Sequence, residues 1–408
     1  MRAIKTLIIV GVIAFAVLQI ARPGIPEKPA ASEIQAPPEI RRILDKSCYS
    51  CHSDRRRLSW FDEVVPVYWL VRSDILTARQ HLNFSTIGAA PATAQKARLY
   101  EAVSMIQLGA MPLPDFLKLH PDAKVTPEEL ATLKNYLNPW TPAPPAGSGD
   151  AGAGQTAALS AVPAEFNGLP FDPSFESWKL LSTTDRGDNG TFRFILGNEI
   201  AMTAARSGNV SPWPDGSRFA KIAWQQETGP DGLVRPGKFI QVELMVKDAA
   251  RYKSSQGWGY GRWRGLDLKP YGQDASFVNE CTGCHQPMRP NDYVYTLPVV
   301  GNNAVAALPA SLPYRPFDWR AITMYVDQKS HTMATLYAND TVRALVTWAQ
   351  REDPHWFGAR IPGAPQSVEF VEGTNYRRFA GAGLAEDRSG DASERAKFIM
   401  ALAPARLP

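Results

Sequence analysis

Two short motifs hold all four cysteines of the chain: Cys48-Tyr49-Ser50-Cys51-His52 and Cys281-Thr282-Gly283-Cys284-His285. Two cysteines three apart on a nascent helix reach the two vinyl groups of one haem and form thioethers. The histidine that follows is then held beneath the iron as its fifth ligand. With only four cysteines and six histidines in 408 residues, a double coincidence is remote. A zinc ribbon would need its pairs about 15–20 residues apart, whereas 230 residues separate Cys51 from Cys281. A thioredoxin-type pair needs a βαβ setting, which neither motif has. The expected cofactors are two covalently bound haem c, attached at Cys48, Cys51, Cys281 and Cys284, with His52 and His285 on the irons.

Haem c is attached outside the cytoplasm, and the N-terminus agrees with export. Arg2 and Lys5 precede an apolar run from Leu7 to Ile20, broken only by Gln19, the layout of an export signal. The run is shorter than the roughly 18–20 residues that span a bilayer comfortably. Ile4 to Ala21 could still cross with Lys5 and Arg22 snorkelling at the ends, and Ala14-Phe15-Ala16 could be a cleavage site. Residues 1–24 are thus expected to be a signal anchor, or a signal peptide, placing the rest in the periplasm beside the inner membrane. A net charge of +4 without a basic tract gives no nucleic-acid footprint.

The motifs need elements to hold them. Residues 35–140 read as helical. Glu39 to Lys46 leads into the first motif, and Val64 to His81 and Ala94 to Leu108 carry apolar residues at helical spacing. Thr126-Pro127-Glu128-Glu129 has an N-cap threonine, proline at the first position and acids in the first turn, opening a helix to Leu137. Residues 141–168, rich in Pro, Ala, Gly and Ser, form a linker. Beyond Phe171 short alternating segments predict strands at Thr191–Leu196, Ser217–Trp224 and Phe239–Val246, separated by turn signals such as Asp188-Asn189-Gly190 and Pro214-Asp215-Gly216.

An internal repeat follows. Trp178, Thr191 and Asn198 recur 141 residues later as Trp319, Thr332 and Asn339. Phe219-Ala220-Lys221-Ile222-Ala223-Trp224 recurs in outline 124 residues later, ending at Trp348, as though 17 residues were deleted in between. The later copy has no cysteine, so it is expected to be a haem-less copy at 310–380 that packs on the first, followed by a tail at 381–408. Asp353 to Val371 finds no explanation, and His355 and His331 read as ordinary histidines.

The text around the first motif (Ser47 to Ser53, His81-Leu82-Asn83-Phe84-Ser85, Gly109-Ala110-Met111-Pro112-Leu113, Leu119-His120-Pro121) resembles a family of small membrane-anchored haem-binding domains. The resemblance implies an electron carrier with a six-coordinate iron. Met111, in a Met-Pro-Leu loop, is the expected sixth ligand. His81 and His120 are its rivals.

Trp178 to Leu297 resembles cytochrome P-460 and its relative cytochrome c′-beta. The resemblance is carried by Asp215-Gly216-Ser217-Arg218-Phe219-Ala220-Lys221, Phe239 to Glu243, Val246-Lys247-Asp248, Gly257-Trp258-Gly259 and Glu280 to His285. It implies that Lys221 joins covalently to the porphyrin edge and that Glu243, above the open haem face, handles protons. Alternation puts Phe219, Lys221 and Ala223 on one face, and Phe239, Gln241, Glu243 and Met245 on one face. By pattern alone a solvated Lys–Glu cross-strand pair is the plainer reading. A pocket arginine is also implied, but Arg193 lies three residues away from the matching position, where Leu196 stands. Met288 is too close to His285 to reach the opposite face, which leaves the sixth position open.

The expected architecture is multidomain α+β, a helical cytochrome c-like domain followed by an antiparallel β domain of P-460 type at 169–300 with its degenerate copy. The expected activity is oxidation of hydroxylamine or a similar small nitrogen compound at the second haem, with Glu243 and Lys221 catalytic. Electrons would pass to the first haem and on to a cytochrome or membrane chain. The alternatives are a nitric-oxide-binding cytochrome and a plain dihaem carrier; the resemblance also implies a homodimer.

Overall fold

The computed structural model describes residues 2–137, 162–298, 308–309, 311–316 and 319–408, in two compact units, 1–138 and 139–408. The linker expected at 141–168 lies largely outside the described residues.

The first unit is helical. Its elements are α1 (Arg2–Ile20), α2 (Pro38–Ser47), α3 (Tyr49–His52), α4 (Val67–His81), α5 (Ala92–Gln107), α6 (Pro114–Leu119) and α7 (Pro127–Leu137). Thr126 and Glu129 form the reciprocal cap expected at α7: Glu129 N donates to Thr126 Oγ1 and Thr126 N to Glu129 Oε2. Ile40, Ile43, Leu44, Tyr49, Leu99, Tyr100, Val103, Leu133 and Leu137 are buried. Along α1, Leu7, Ile8, Ile9, Val10 and Ile13 are exposed. Among the described residues no helix is long and apolar enough to cross a membrane.

The second unit is an antiparallel β-barrel built twice. The first copy runs β1 (Lys179–Arg186), β2 (Thr191–Gly197), α8 (Glu199–Ser207), β3 (Arg218–Thr228), β4 (Val234–Lys247), β5 (Trp258–Arg264), β6 (Lys269–Pro270) and α9 (Ser276–His285). The second runs β7 (Arg320–Asp327), β8 (Thr332–Ala338), β9 (Val342–Glu352), β10 (Ala359–Glu372), β11 (Asn375–Ala380), β12 (Ala385–Glu386) and α10 (Ala392–Ala401). Each strand matches its counterpart in order, and α10 stands where α9 stands.

The 17-residue difference between the repeats is α8 with its following loop. Asn198 caps α8 by accepting from Ala201 N at 3.1 Å. Its counterpart Asn339 instead accepts from Thr341 N and Val342 N, closing a tight turn straight into β9. Residues 381–408 are therefore not a tail. They carry β12 and α10, and α10 buries Ile399 against the sheet.

The two copies close on each other twice. Val234 of β4 pairs with Val326 of β7, and Asp185 and Arg186 of β1 pair with Arg360 and Ala359 of β10. These are equivalent positions exchanged between copies, the self-complementary pattern of a two-fold interface held within one chain. One core fills the inside, with Phe192, Trp224, Val242, Trp258, Trp263, Val346, Trp348 and Val368 at 0% exposure.

Candidate haem sites

In the first unit Cys48 lies between α2 and α3, and α3 ends on His52. The carbonyl of Leu82, just after α4, accepts a hydrogen bond from His52 Nδ1 at 2.9 Å. A carbonyl can only accept, so the proton sits on Nδ1 and Nε2 is left to face a metal. Burial pushes the Cys48 thiol up to about 12 and that of Cys51 to about 11. Neither is a reactive thiolate, and all four cysteines are free of disulfides. Beside Cys51, Arg79 Nη2 is buried without a hydrogen-bond partner, a place where an acidic ring substituent fits.

The rival sixth ligands separate. His120 Nε2 is engaged with Asp62 Oδ1 at 3.0 Å, and its ring stacks on Phe116 at 4.0 Å. His81 ends α4 with its side chain exposed. Met111 sits half-buried on the loop between α5 and α6, its amide bonded to Met105 O.

In the second unit the polar residues lie in rows across one sheet face. Phe219, Met245 and Tyr260 are cross-strand partners, as are Ile195, Lys221, Glu243 and Arg262, and then Arg193, Ala223, Gln241 and Arg264. Paired residues share a face. The two catalytic candidates are therefore directly opposed: Lys221 Nζ lies 2.5 Å from Glu243 Oε2. Arg262 Nε is 3.4 Å from Glu243 Oε1, and Gln241 Nε2 donates to the same oxygen. Two expectations change. Arg193, not Leu196, faces the site, because Leu196 pairs with Ala220 on the core side. Phe239 leaves the Glu243 face, because a bulge at Ile240 pairs it with Trp224.

Lys221 and Glu243 keep 28% and 18% of their side-chain surface accessible. Even so, protein surrounds them closely enough for desolvation to act strongly on both. Both lie half-buried on this sheet face. Burial lowers Lys221 to about 8 against the pull of Glu243. Burial pushes Glu243 up, but Lys221 and Arg262 outweigh it and hold the carboxyl at about 2. Arg193 is lowered to about 9 by burial.

His285 ends α9, and burial lowers it to about 4. Its Nδ1 donates to Tyr293 O at 2.6 Å, again leaving Nε2 for a metal. Its ring lies 5.2 Å from Tyr260, whose strand borders Glu243. Burial also pushes the Cys281 thiol up to about 12.

Residues 8–139 match the family model described as a haem-binding domain, and residues 173–296 match that of cytochrome P460. The chain carries a haem-binding domain followed by a cytochrome P460 domain. No curated protein matches it.

The P460 domain fits a haem on the evidence of its orphaned atoms. Arg193 Nε, Arg262 Nε and Tyr260 Oη are buried without hydrogen-bond partners. A buried polar atom left without a hydrogen-bond partner costs about 1–3 kcal/mol, which a fold tolerates where a ligand is to be bound. The second copy shows the alternative. Arg193, Ile195 and Lys221 are replaced there by Ala334, Leu336 and Leu345, which pack with Tyr325, Ile399 and Leu402. Helix α10 lies down on β9, β10 and β11, whereas α9 contacts chiefly its own following turn. Helix α10 carries no cysteine or histidine. One copy keeps a charged cluster on this face, and the other covers the same positions with hydrocarbon.

Sequence reasoning missed Arg262 and Tyr260, although the alternation of Trp258-Gly259-Tyr260-Gly261-Arg262 placed them on one face. It also missed Glu165. This buried carboxylate accepts from Phe166 N, Arg262 N and Gly272 N at 3.0, 3.0 and 2.7 Å, so it fixes the backbone that presents Arg262. No motif marks it.

Proposed function

We propose that this chain is an exported dihaem c-type cytochrome that oxidises hydroxylamine, or a similar small nitrogen compound, in its P460 domain. Cys48 and Cys51 hold one haem above His52, and Cys281 and Cys284 hold the other above His285. Bound haem supplies the redox chemistry, taking electrons from the substrate and passing them through the first domain to a cytochrome or membrane chain. The N-terminal segment serves as export signal or inner-membrane anchor.

The observation that carries the reading is the Lys221–Glu243 pair, with Arg193 buried beside it on the same sheet face. Glu243 is ionised throughout the neutral range, and its carboxylate, held at rest by Lys221, Gln241 and Arg262, is the group placed to take substrate protons within hydrogen-bond reach. With two cations against it, it is a weak base. Were Lys221 linked to a bound haem, its nitrogen would no longer carry a full ammonium charge. The link therefore relieves the cation that holds Glu243 down most, and raises its proton affinity towards a useful range. Arg193 and Arg262 stay charged to orient an electron-rich oxygen or nitrogen group.

The ion pair also favours a second reading. A lysine that stays paired with Glu243 and unlinked suits a c′-beta-like protein that binds nitric oxide without turnover. Digestion of the purified protein and mass spectrometry separate the two. A haem peptide tying residues around Lys221 to those around Cys281 supports the enzyme; a haem peptide on Cys281 and Cys284 alone demotes it.

A further inference from the structure

The match to cytochrome P460 spans residues 173–296, and Arg193, Lys221, Glu243, Arg262 and His285 all fall within it. The second copy has no cysteine and carries apolar residues where the first has its charged cluster, which leaves open what it does for the first. The answer lies behind His285. The ring of Tyr295 packs edge-on against His285, with centroids 5.4 Å apart, and its hydroxyl donates to Cys284 O at 2.7 Å. Tyr293, two residues earlier, supplies the carbonyl that fixes the His285 ring. The segment 292–295 therefore sets the orientation of the proposed iron ligand.

Two groups hold this segment. On its first-copy side, Asp292 takes both hydrogen bonds of Lys247 Nζ at 2.8 Å and that of Trp213 N at 2.9 Å. On the other side stands the loop between β9 and β10, from the second copy. His355 Nδ1 donates to Tyr295 O at 2.9 Å. The Trp356 ring meets Tyr295 edge-on at 5.7 Å. Trp356 is itself tied to the first copy. Its Nε1 donates to Asp188 Oδ2 at 3.2 Å, and the Arg186 guanidinium lies over its ring at 4.5 Å. The pairing of β1 with β10 puts this loop there.

We infer that the haem-less copy is a built-in brace for the proximal ligand of the other copy, with His355 and Trp356 as positioning residues that act on His285 through Tyr295. The inference rests on His285 being a haem ligand. A well-aligned Nδ1–H···O=C bond makes a ligating imidazole more basic. Loosening segment 292–295 weakens that bond, so the iron above His285 becomes easier to reduce.

The test uses the haem-loaded full chain. His355→Ala and Trp356→Ala should each raise the midpoint potential of the second haem and shift its electron paramagnetic resonance signal, while the first haem keeps its own. His355→Asn, which keeps an N–H for Tyr295 O, and Trp356→Phe, which keeps the ring, should move both readouts less and guard against simple misfolding. Two haems present, with all four variants indistinguishable from wild type, would overturn the brace alone. A wild-type digest without haem on Cys281 and Cys284 would overturn the haem reading and the brace with it.

Discussion

Leu345 stands directly opposite Glu369 across β9 and β10, the register position that Lys221 and Glu243 hold across β3 and β4. The carboxylate persists in the haem-less copy, but its cation now comes from a helix. Arg395 of α10 forks onto Glu369 at 2.9 and 2.6 Å, and Tyr376 Oη donates to it at 2.5 Å. Glu369 is 2% exposed, so removing Arg395 strands a buried charge. Arg395→Ala should lower unfolding free energy by about 2–3 kcal/mol, since the arginine head is partly wet and the loss stays below that of a fully buried pair. Denaturant midpoints of wild type and variant check this, and an unchanged midpoint would refute it.

Haem stoichiometry tests both motifs. The wild-type chain should bind two haems per molecule by pyridine haemochrome assay. Cys48→Ala with Cys51→Ala should leave one, as should Cys281→Ala with Cys284→Ala. A wild-type ratio of one would remove the motif that retains no haem peptide.

Glu243 carries the proton chemistry of the proposal. Glu243→Gln preserves size and a hydrogen-bonding oxygen but cannot take a proton. Turnover of hydroxylamine should fall by about 10²–10⁴-fold, the usual worth of a general base, with haem content unchanged. Full activity in the variant would dismiss Glu243 from the mechanism.

Asp185, buried where β1 meets β10, is raised by desolvation to about 6 despite hydrogen bonds from Gln350 and Gln226 and the charge of Arg360. Its folded value lies above the ordinary 3.8. Its contribution is therefore fully present below pH about 4 and is lost as pH rises through 6. Asp185→Asn should remove that loss, worth roughly 3 kcal/mol at most. The difference between variant and wild-type unfolding free energies should grow in favour of the variant from pH 4 to 7. A difference independent of pH would show that Asp185 does not titrate there.

The sequence by itself placed the two Cys-x-x-Cys-His motifs, because their spacing is local and no packing can alter it. It also determined the helical and β-rich halves, through periodicity, and the repeat, through residues such as Asn198 and Asn339 that recur where chain direction changes. Only the tertiary structure decided which side chains meet. A one-residue bulge at Ile240 sent Phe239 to the core face, and cross-strand register placed Arg193 and Arg262 beside Lys221 and Glu243. His355 and Trp356 gained a role only when β10 closed against β1. Periodicity reports a residue's own strand and face; the partner across a sheet, or from a second copy sixty or more residues away, is fixed by pairing and closure, which leave no local mark in the chain.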